Sequence, residues 1–468
     1  MCFVGGFVTM LDVSIVTVAL PSIQTALLAG PTQLQLIVAG YALAFGLLLV
    51  PFGRLGDVYG RRRIWMIAIA GFGAMSLASG LSQTDTQLAI FRLLQGASAG
   101  MATPQTSGMI QQMFRGKERA KAFGFFGAVI GVSTALGPLI GGLILAAIGP
   151  EAGWRWIFFI NVPICLIVLP LAQRLLPPPP SLAPGVTRTR TRLDIIGLVF
   201  IGLGTATFMA PFVTTPSTGF CDNPSRWLWL VPAFLLAPAT YFWERHYQQK
   251  YQAAVLNPAL IQDRSFTYGA ALGAAYFAGF TALMLVLSLM LQTGLGFTAL
   301  IVGLTQLPYA VASGITASQS GRLVPVWGRK LVVLGLSVGL VGLFVVLGII
   351  TFVPTSVMVW ALGGALFIMG AGNGVVISPN QALSFQDVSP SQGSVAGAVL
   401  QVGQRTGTAV GMAIILAIYL SIYSSQTVSL GSVAAARHAS TVALGISSVF
   451  LIAALVIGIV DMRRRQAL

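Results

Sequence analysis

The sequence predicts an all-α membrane protein that crosses the bilayer fourteen times, and three observations carry that prediction. Only 8% of the residues are charged while 56% are hydrophobic. Soluble domains carry about 25% charged residues, so a water-facing surface of ordinary area is excluded. Apolar runs of the ~20 residues that cross a hydrocarbon core as a helix recur between short polar breaks along the chain. The basic residues gather on alternate breaks, as the positive-inside rule requires. The ten-residue alternation of a membrane barrel is absent, and a backbone in lipid must satisfy its own hydrogen bonds, which makes each run a helix.

In chain order the spans are 1–21, 33–53, 64–82, 86–113, 120–148, 155–176, 194–213, 226–243, 267–292, 298–321, 330–351, 356–380, 393–422 and 441–460. The first lacks the basic lead-in and small-residue cleavage site of a signal peptide and contains Asp12, so it is a retained span. With both termini cytoplasmic, Arg155, Arg226 and Arg437 alone among the 26 basic residues fall outside, and Arg92 and Arg405 fall within spans. The net charge of +15 is thereby explained by topology, and no aromatic-interleaved basic module calls for nucleic acid. Cys2, Cys165 and Cys221 have neither metal nor redox spacing. His246 and His438 fall in loops, and the spans hold no nucleophile–base pair or metal cluster, so neither an enzyme nor a metal or cofactor is expected. A phosphate-binding G-x-x-x-x-G-K-[ST] loop is missing, which excludes ATP as the direct energy source.

Two loops share a pattern. Gly53-Arg54-Leu55-Gly56-Asp57-Val58-Tyr59-Gly60-Arg61-Arg62 recurs as Gly321-Arg322-Leu323-Val324-Pro325-Val326-Trp327-Gly328-Arg329-Lys330, with Pro325 in place of Asp57. Each joins the second and third spans of a six-span block, which implies duplicated halves with a substrate site between them. The expected organisation is a six-helix bundle over 1–176, a stiff proline-rich linker over 177–193, two additional helices and a loop over 194–265, and a second six-helix bundle over 266–468.

At these residues the chain resembles the major facilitator superfamily, in its fourteen-span drug:proton antiporter branch. Five stretches carry the resemblance: Leu11-Asp12-Val13-Ser14-Ile15-Val16 through Ala19-Leu20-Pro21; the loop from Gly53 to Arg63; Arg92-Leu93-Leu94-Gln95-Gly96; Gly137-Pro138-Leu139-Ile140-Gly141-Gly142; and the run from Gly153-Trp154-Arg155 to Asn161-Val162-Pro163. Ser133 stands where the branch usually has glycine, and the later spans lack the extra acids many relatives carry. The resemblance implies the major facilitator fold, two pseudo-symmetric six-helix bundles plus two extra central helices. It also implies a transporter of the bacterial cytoplasmic membrane, with protons, small amphiphilic substrates and the lipid bilayer as partners and a single chain as the working unit.

Roles for individual residues follow. Asp12 lies roughly 16 Å into its helix, and a carboxyl at that depth must be paired, protonated or facing a wet cavity. It is the candidate proton site, and the resemblance implies Arg92 as the partner that tunes it. The resemblance implies that Gly53, Gly56, Asp57, Gly60 and Arg61 form a cytoplasmic gate, with the Asp57 carboxylate favoured near a helix N-terminus. Gly124, Gly137, Pro138, Gly141 and Gly142 form the antiporter motif that the resemblance ties to export. Gly403, Gly407 and Gly411 are expected only to pack helices. Helix faces nominate Tyr41, Gln105, Gln306, Asn380, Gln401 and Arg405 for the substrate cavity. Arg405 is expected either to pair with Asp12 across the cavity or to attract an anionic or zwitterionic substrate. Export of drugs or antibiotics by proton antiport is the expected function, and a dedicated exporter of one metabolite, lipid or siderophore is the alternative.

Overall fold

The computed structural model describes residues 2–30, 33–34, 36–176, 194–213, 224–251, 254–255, 260, 262–386, 388–389 and 392–466. The predicted linker 177–193 and Cys221 lie outside these residues. Every regular element among them is helical. The first half contains α1 (Cys2–Leu27), α2 (Tyr41–Tyr59, preceded by a π-helical turn Leu36–Gly40), α3 (Arg61–Gly80), α4 (Asp85–Met113), α5 (Gly116–Ile148), and a broken rod of α6 (Pro150–Phe159) and α7 (Asn161–Leu175). Next come α8 (Ile195–Val213) and α9 (Leu230–Tyr251). The second half contains α10 (Arg264–Leu289), α11 (Ala299–Trp327), α12 (Arg329–Phe352), a second broken rod of α13 (Thr355–Gly374) and α14 (Ile377–Ser384), then α15 (Gly393–Leu430) and α16 (Ser432–Gln466).

Among the described residues these make fourteen rods, of which 12 are long and apolar enough to cross a membrane. The two that fall short of that apolarity are α4 and α9. Helix α4 is polar because it is shielded by protein: Arg92, Gln95, Thr103, Gln105, Thr106, Ser107 and Gln111 are all buried. Helix α9 ends in the polar run Glu244-Arg245-His246, continuing to Lys250.

The halves repeat the same contacts. In the first, Gly96 and Gly100 of α4 lie against the carbonyls of Tyr41 and Phe45 in α2; in the second, Gly370 and Gly374 of α13 lie against those of Tyr309 and Ser313 in α11. Gly137 and Gly141 pack α5 onto Ser14 and Ile15 of α1, and Gly407 and Gly411 pack α15 onto Ala274 and Ala278 of α10. Such close approaches are what small residues supply between helices in lipid. The two basic residues expected outside at matching positions also repeat a task. Arg155 donates to the carbonyls of Gly80 (3.0 Å) and Ser82 (2.5 Å) at the end of α3. Arg437 donates to those of Ile350 (2.7 Å) and Val353 (2.6 Å) at the end of α12. A cation there satisfies orphan carbonyls and the negative end of the helix dipole.

Two seams join the halves. Helix α5 runs along α11, and α2 runs along α15. The extra helix α8 packs on both α2 and α15, covering that second seam, while α9 leans on α8. Asp194, just before α8, accepts from the Gly197 amide (2.8 Å) and from the Trp243 indole of α9 (2.9 Å), which ties the pair together.

Candidate functional site

Helix α1 delivers Asp12 into the interior of the first half, where its side chain is fully buried. Arg92 of α4 reaches it with an Nη1–Oδ2 distance of 2.5 Å. Its other oxygen, Oδ1, accepts from Gln95 Nε2 and Asn161 Nδ2, each at 3.0 Å. Both amides also donate to the Ser76 hydroxyl of α3, at 3.1 and 3.0 Å, and Ser76 donates to the Phe158 carbonyl at 2.9 Å. Arg92 additionally donates to Gln95 Oε1 at 2.8 Å and lies 4.3 Å over the Tyr41 ring. Four helical rods thus converge on one carboxylate. With Arg92 only 2% exposed, the arginine does not reach out to headgroups. A carboxylate can accept about four hydrogen bonds, and three donors with one full cation form a charge-assisted network of the strong kind.

A second cation lies beyond Tyr41. Arg405 of α15 stacks 4.3 Å over the Phe45 ring and points Nη2 at the Met10 sulfur, 3.5 Å away. Its Nε is buried and has no hydrogen-bond partner among the described residues, and the same holds for the buried Tyr41 hydroxyl. The expected pairing of Arg405 with Asp12 is therefore not formed, because Arg92, Gln95 and Asn161 occupy both carboxylate oxygens. Tyr41 stands within electrostatic reach of Asp12, Arg92 and Arg405, between the proton candidate and the seam.

The loop residues meet the other half. Arg61 forms an ion pair with Asp57 at 2.7 Å and also donates to the Gly108 carbonyl. Asp57 lies near Ser394 in the first turn of α15 without a hydrogen bond to its hydroxyl, where a carboxylate complements the positive end of the dipole. Gly53 lies against the Ser394 carbonyl, so that an added Cβ would come within 3.1 Å of it. Gly60 has φ of 103° and its repeat partner Gly328 has φ of 50°, conformations natural to glycine. In α5, Gly124 faces the backbone of Gly321, Gly137 and Gly141 face α1, and Pro138 and Gly142 are buried, with Pro138 beside Gly303 of α11.

The remaining nominated residues do not converge. Gln105 donates to the Phe52 carbonyl at 2.6 Å, in space left by Gly56. Gln306 donates to the Ser288 hydroxyl at 3.1 Å within the second half. Asn380 accepts from Arg329 and donates to the Gly269 carbonyl at 2.8 Å. Gln401 is buried on α15 one turn before Arg405. The structure brings Tyr41 and Arg405 together and holds Gln105, Gln306 and Asn380 between packed helices. Sequence reasoning gave no role to Ser76, Gln95 or Asn161. Gln95 could have been found from its position one turn after Arg92, and Asn161 from the motif that contains it. It also passed over Arg329–Asp461, an ion pair of 2.5 Å in the second half that Arg465 joins at 3.4 Å.

A duplicated helical membrane bundle with a buried ion pair in each half and a further buried arginine at the seam has the form of a polytopic transporter. The chain belongs to the Major Facilitator Superfamily, whose sequence model matches residues 2–412. It is similar to a protein of Streptomyces coelicolor described as "Probable actinorhodin transporter", with 31% identity over 85% of this chain and 68% of that protein. It is also similar to the puromycin resistance protein pur8 of Streptomyces alboniger, with 31% identity over 85% of this chain and 76% of that one. The fold matches a structure of the proton:xylose symporter XylE with a TM-score of 0.61 at 16% identity, over 97% of this chain and 93% of that one.

Proposed function

We propose that the protein is a proton-coupled exporter that moves an amphiphilic drug or antibiotic outward by alternating access, from a bacterial cytoplasmic membrane with both termini inside. The observation that carries this reading is the fully buried Asp12–Arg92 pair with its Gln95 and Asn161 donors. Protonating Asp12 removes the charge that three donors were arranged to meet, and leaves Arg92 buried beside a neutral acid. Removing one partner of a buried ion pair costs about 3–5 kcal/mol, so proton uptake favours a rearrangement of α1 against α4. The opposite side of the same stretch of α1 carries Met10 and Ser14, which touch Arg405 and α5. A shift of α1 therefore connects the ionisation of Asp12 to the seams between the halves. Relatives that are described by antibiotic transport and resistance support export as the direction.

The first of these relatives is described by a single compound, which supports a second reading, an exporter dedicated to one metabolite. In proteoliposomes with an imposed pH gradient, Asp12→Asn is expected to abolish gradient-driven movement of a transported drug while binding persists. Full gradient-driven export by this variant would overturn the proton assignment.

A further inference from the structure

We infer that the transported amphiphile is an anion, bound through its carboxylate or an equivalent acidic group by Arg405 and Tyr41. This rests on the reading of the Tyr41–Arg405 region as part of the transport path. The side-on fork of a guanidinium, Nε with one Nη, is the geometry that takes a carboxylate with two parallel hydrogen bonds. On Arg405 that fork meets nothing stronger than a thioether: Nε has no hydrogen-bond partner among the described residues, and Nη2 points at Met10 Sδ. The buried Tyr41 hydroxyl, also without a hydrogen-bond partner among them, supplies a further donor nearby. Unsatisfied buried donors are costly, and an acidic ligand satisfies both at once.

The surroundings set the rest of the ligand. The Phe45 ring backs the guanidinium, and Met10 supplies an adaptable sulfur at its end, so the apolar body of the ligand meets a soft apolar wall next to the charged fork. A lipophilic cation finds no equivalent welcome. Among the described residues, Asp12 is occupied by Arg92, Asp461 by Arg329 and Asp194 by Trp243, Asp57 is held through one oxygen by Arg61, and the buried Glu244 stands on α9, which packs chiefly on α8 and away from Arg405. Nor is a lipid headgroup the natural occupant. Arg405 is about 18 Å from the start of α15, far from either interface, and α8 covers the seam from the lipid side, with Met209 against Gly46.

The test uses the full chain in nanodiscs of zwitterionic lipid and three fluorescent probes at neutral pH: 1-pyrenebutanoate, its methyl ester and 1-pyrenebutylammonium, with empty discs subtracted. The butanoate is expected to bind about tenfold or more tighter than either of the others. Arg405→Gln removes that advantage and leaves the ester unchanged, Arg405→Lys restores part of it, and Tyr41→Phe reduces it a few-fold. Equal or tighter binding of the ammonium probe, or an unaltered acid preference in Arg405→Gln, overturns the inference. The comparison of three probes on the unaltered chain stands even if a variant fails to fold. Acid preference without gradient-driven movement would sink the proton coupling and leave this inference intact. Gradient-driven export of cations alone would do the reverse.

Discussion

Asp12 and Arg92 cannot be understood as two opposite charges alone. The guanidinium of Arg92 serves Asp12 and Gln95 through one nitrogen while its plane rests on Tyr41. A lysine keeps the charge but presents a compact ammonium without a planar face. Arg92→Lys is therefore expected to fold and to retain substrate binding, while gradient-driven flux in proteoliposomes falls about tenfold or more; an unchanged flux would show that charge suffices. The pair was legible in sequence because an acid and an arginine stranded inside apolar runs have few physical excuses. Ser76 was not, since a serine in a membrane helix has a local carbonyl to bond to, and only the packing of α3 against α4 and α7 reveals its place in the network. The same limit explains Gln105 and Asn380. A helix face shows that a polar side chain points inward, but not whether a cavity or a neighbouring backbone receives it.

At the scale of elements, the repeated loop was legible through its glycine spacing, and the structure supplies the reason for one of them. Gly60 and Gly328 each close one helix and open the next with positive φ, and each amide still reaches back to a carbonyl of the preceding helix, at 3.0 and 2.9 Å. A Cβ in this region of backbone space costs about 1–2 kcal/mol. Gly60→Ala and Gly328→Ala should each lower the thermal unfolding midpoint of the detergent-solubilised protein. Gly445→Ala should leave it unchanged or raise it slightly, because Gly445 is helical and a Cβ there meets open space. Equal effects at all three positions would refute the backbone argument. The helix ends capped by Arg155 and Arg437 carry no comparable signal in sequence. Both residues looked like minor departures from the charge rule, and only the fold brings them under the last carbonyls of α3 and α12.

The whole molecule is organised by an exchange between halves: the first glycine of each loop copy lies against the backbone of a helix in the other half. Gly53 of α2 meets Ser394 of α15, and Gly321 of α11 meets Ala120 and Lys121 of α5. The duplication in sequence pointed to two halves, but which helices meet across the seams depends on contacts distant in the chain. These contacts differ in tolerance. An added Cβ at Gly53 would come within 3.1 Å of a carbonyl, a fit that a small shift relieves. At Gly321 it would come within 2.6 Å of two backbone atoms, which only separation of the helices relieves. Gly321→Ala should therefore shift the population toward opening at the loop end more than Gly53→Ala does, with each half still folded. The reporter is Ser394→Cys, a buried position at that end, in a chain whose native cysteines are replaced. Its labelling by a membrane-impermeant maleimide from the loop side should accelerate several-fold in Gly321→Ala and less in Gly53→Ala. Equal labelling in both variants and the parent would mean that these glycines fill space without holding the halves shut.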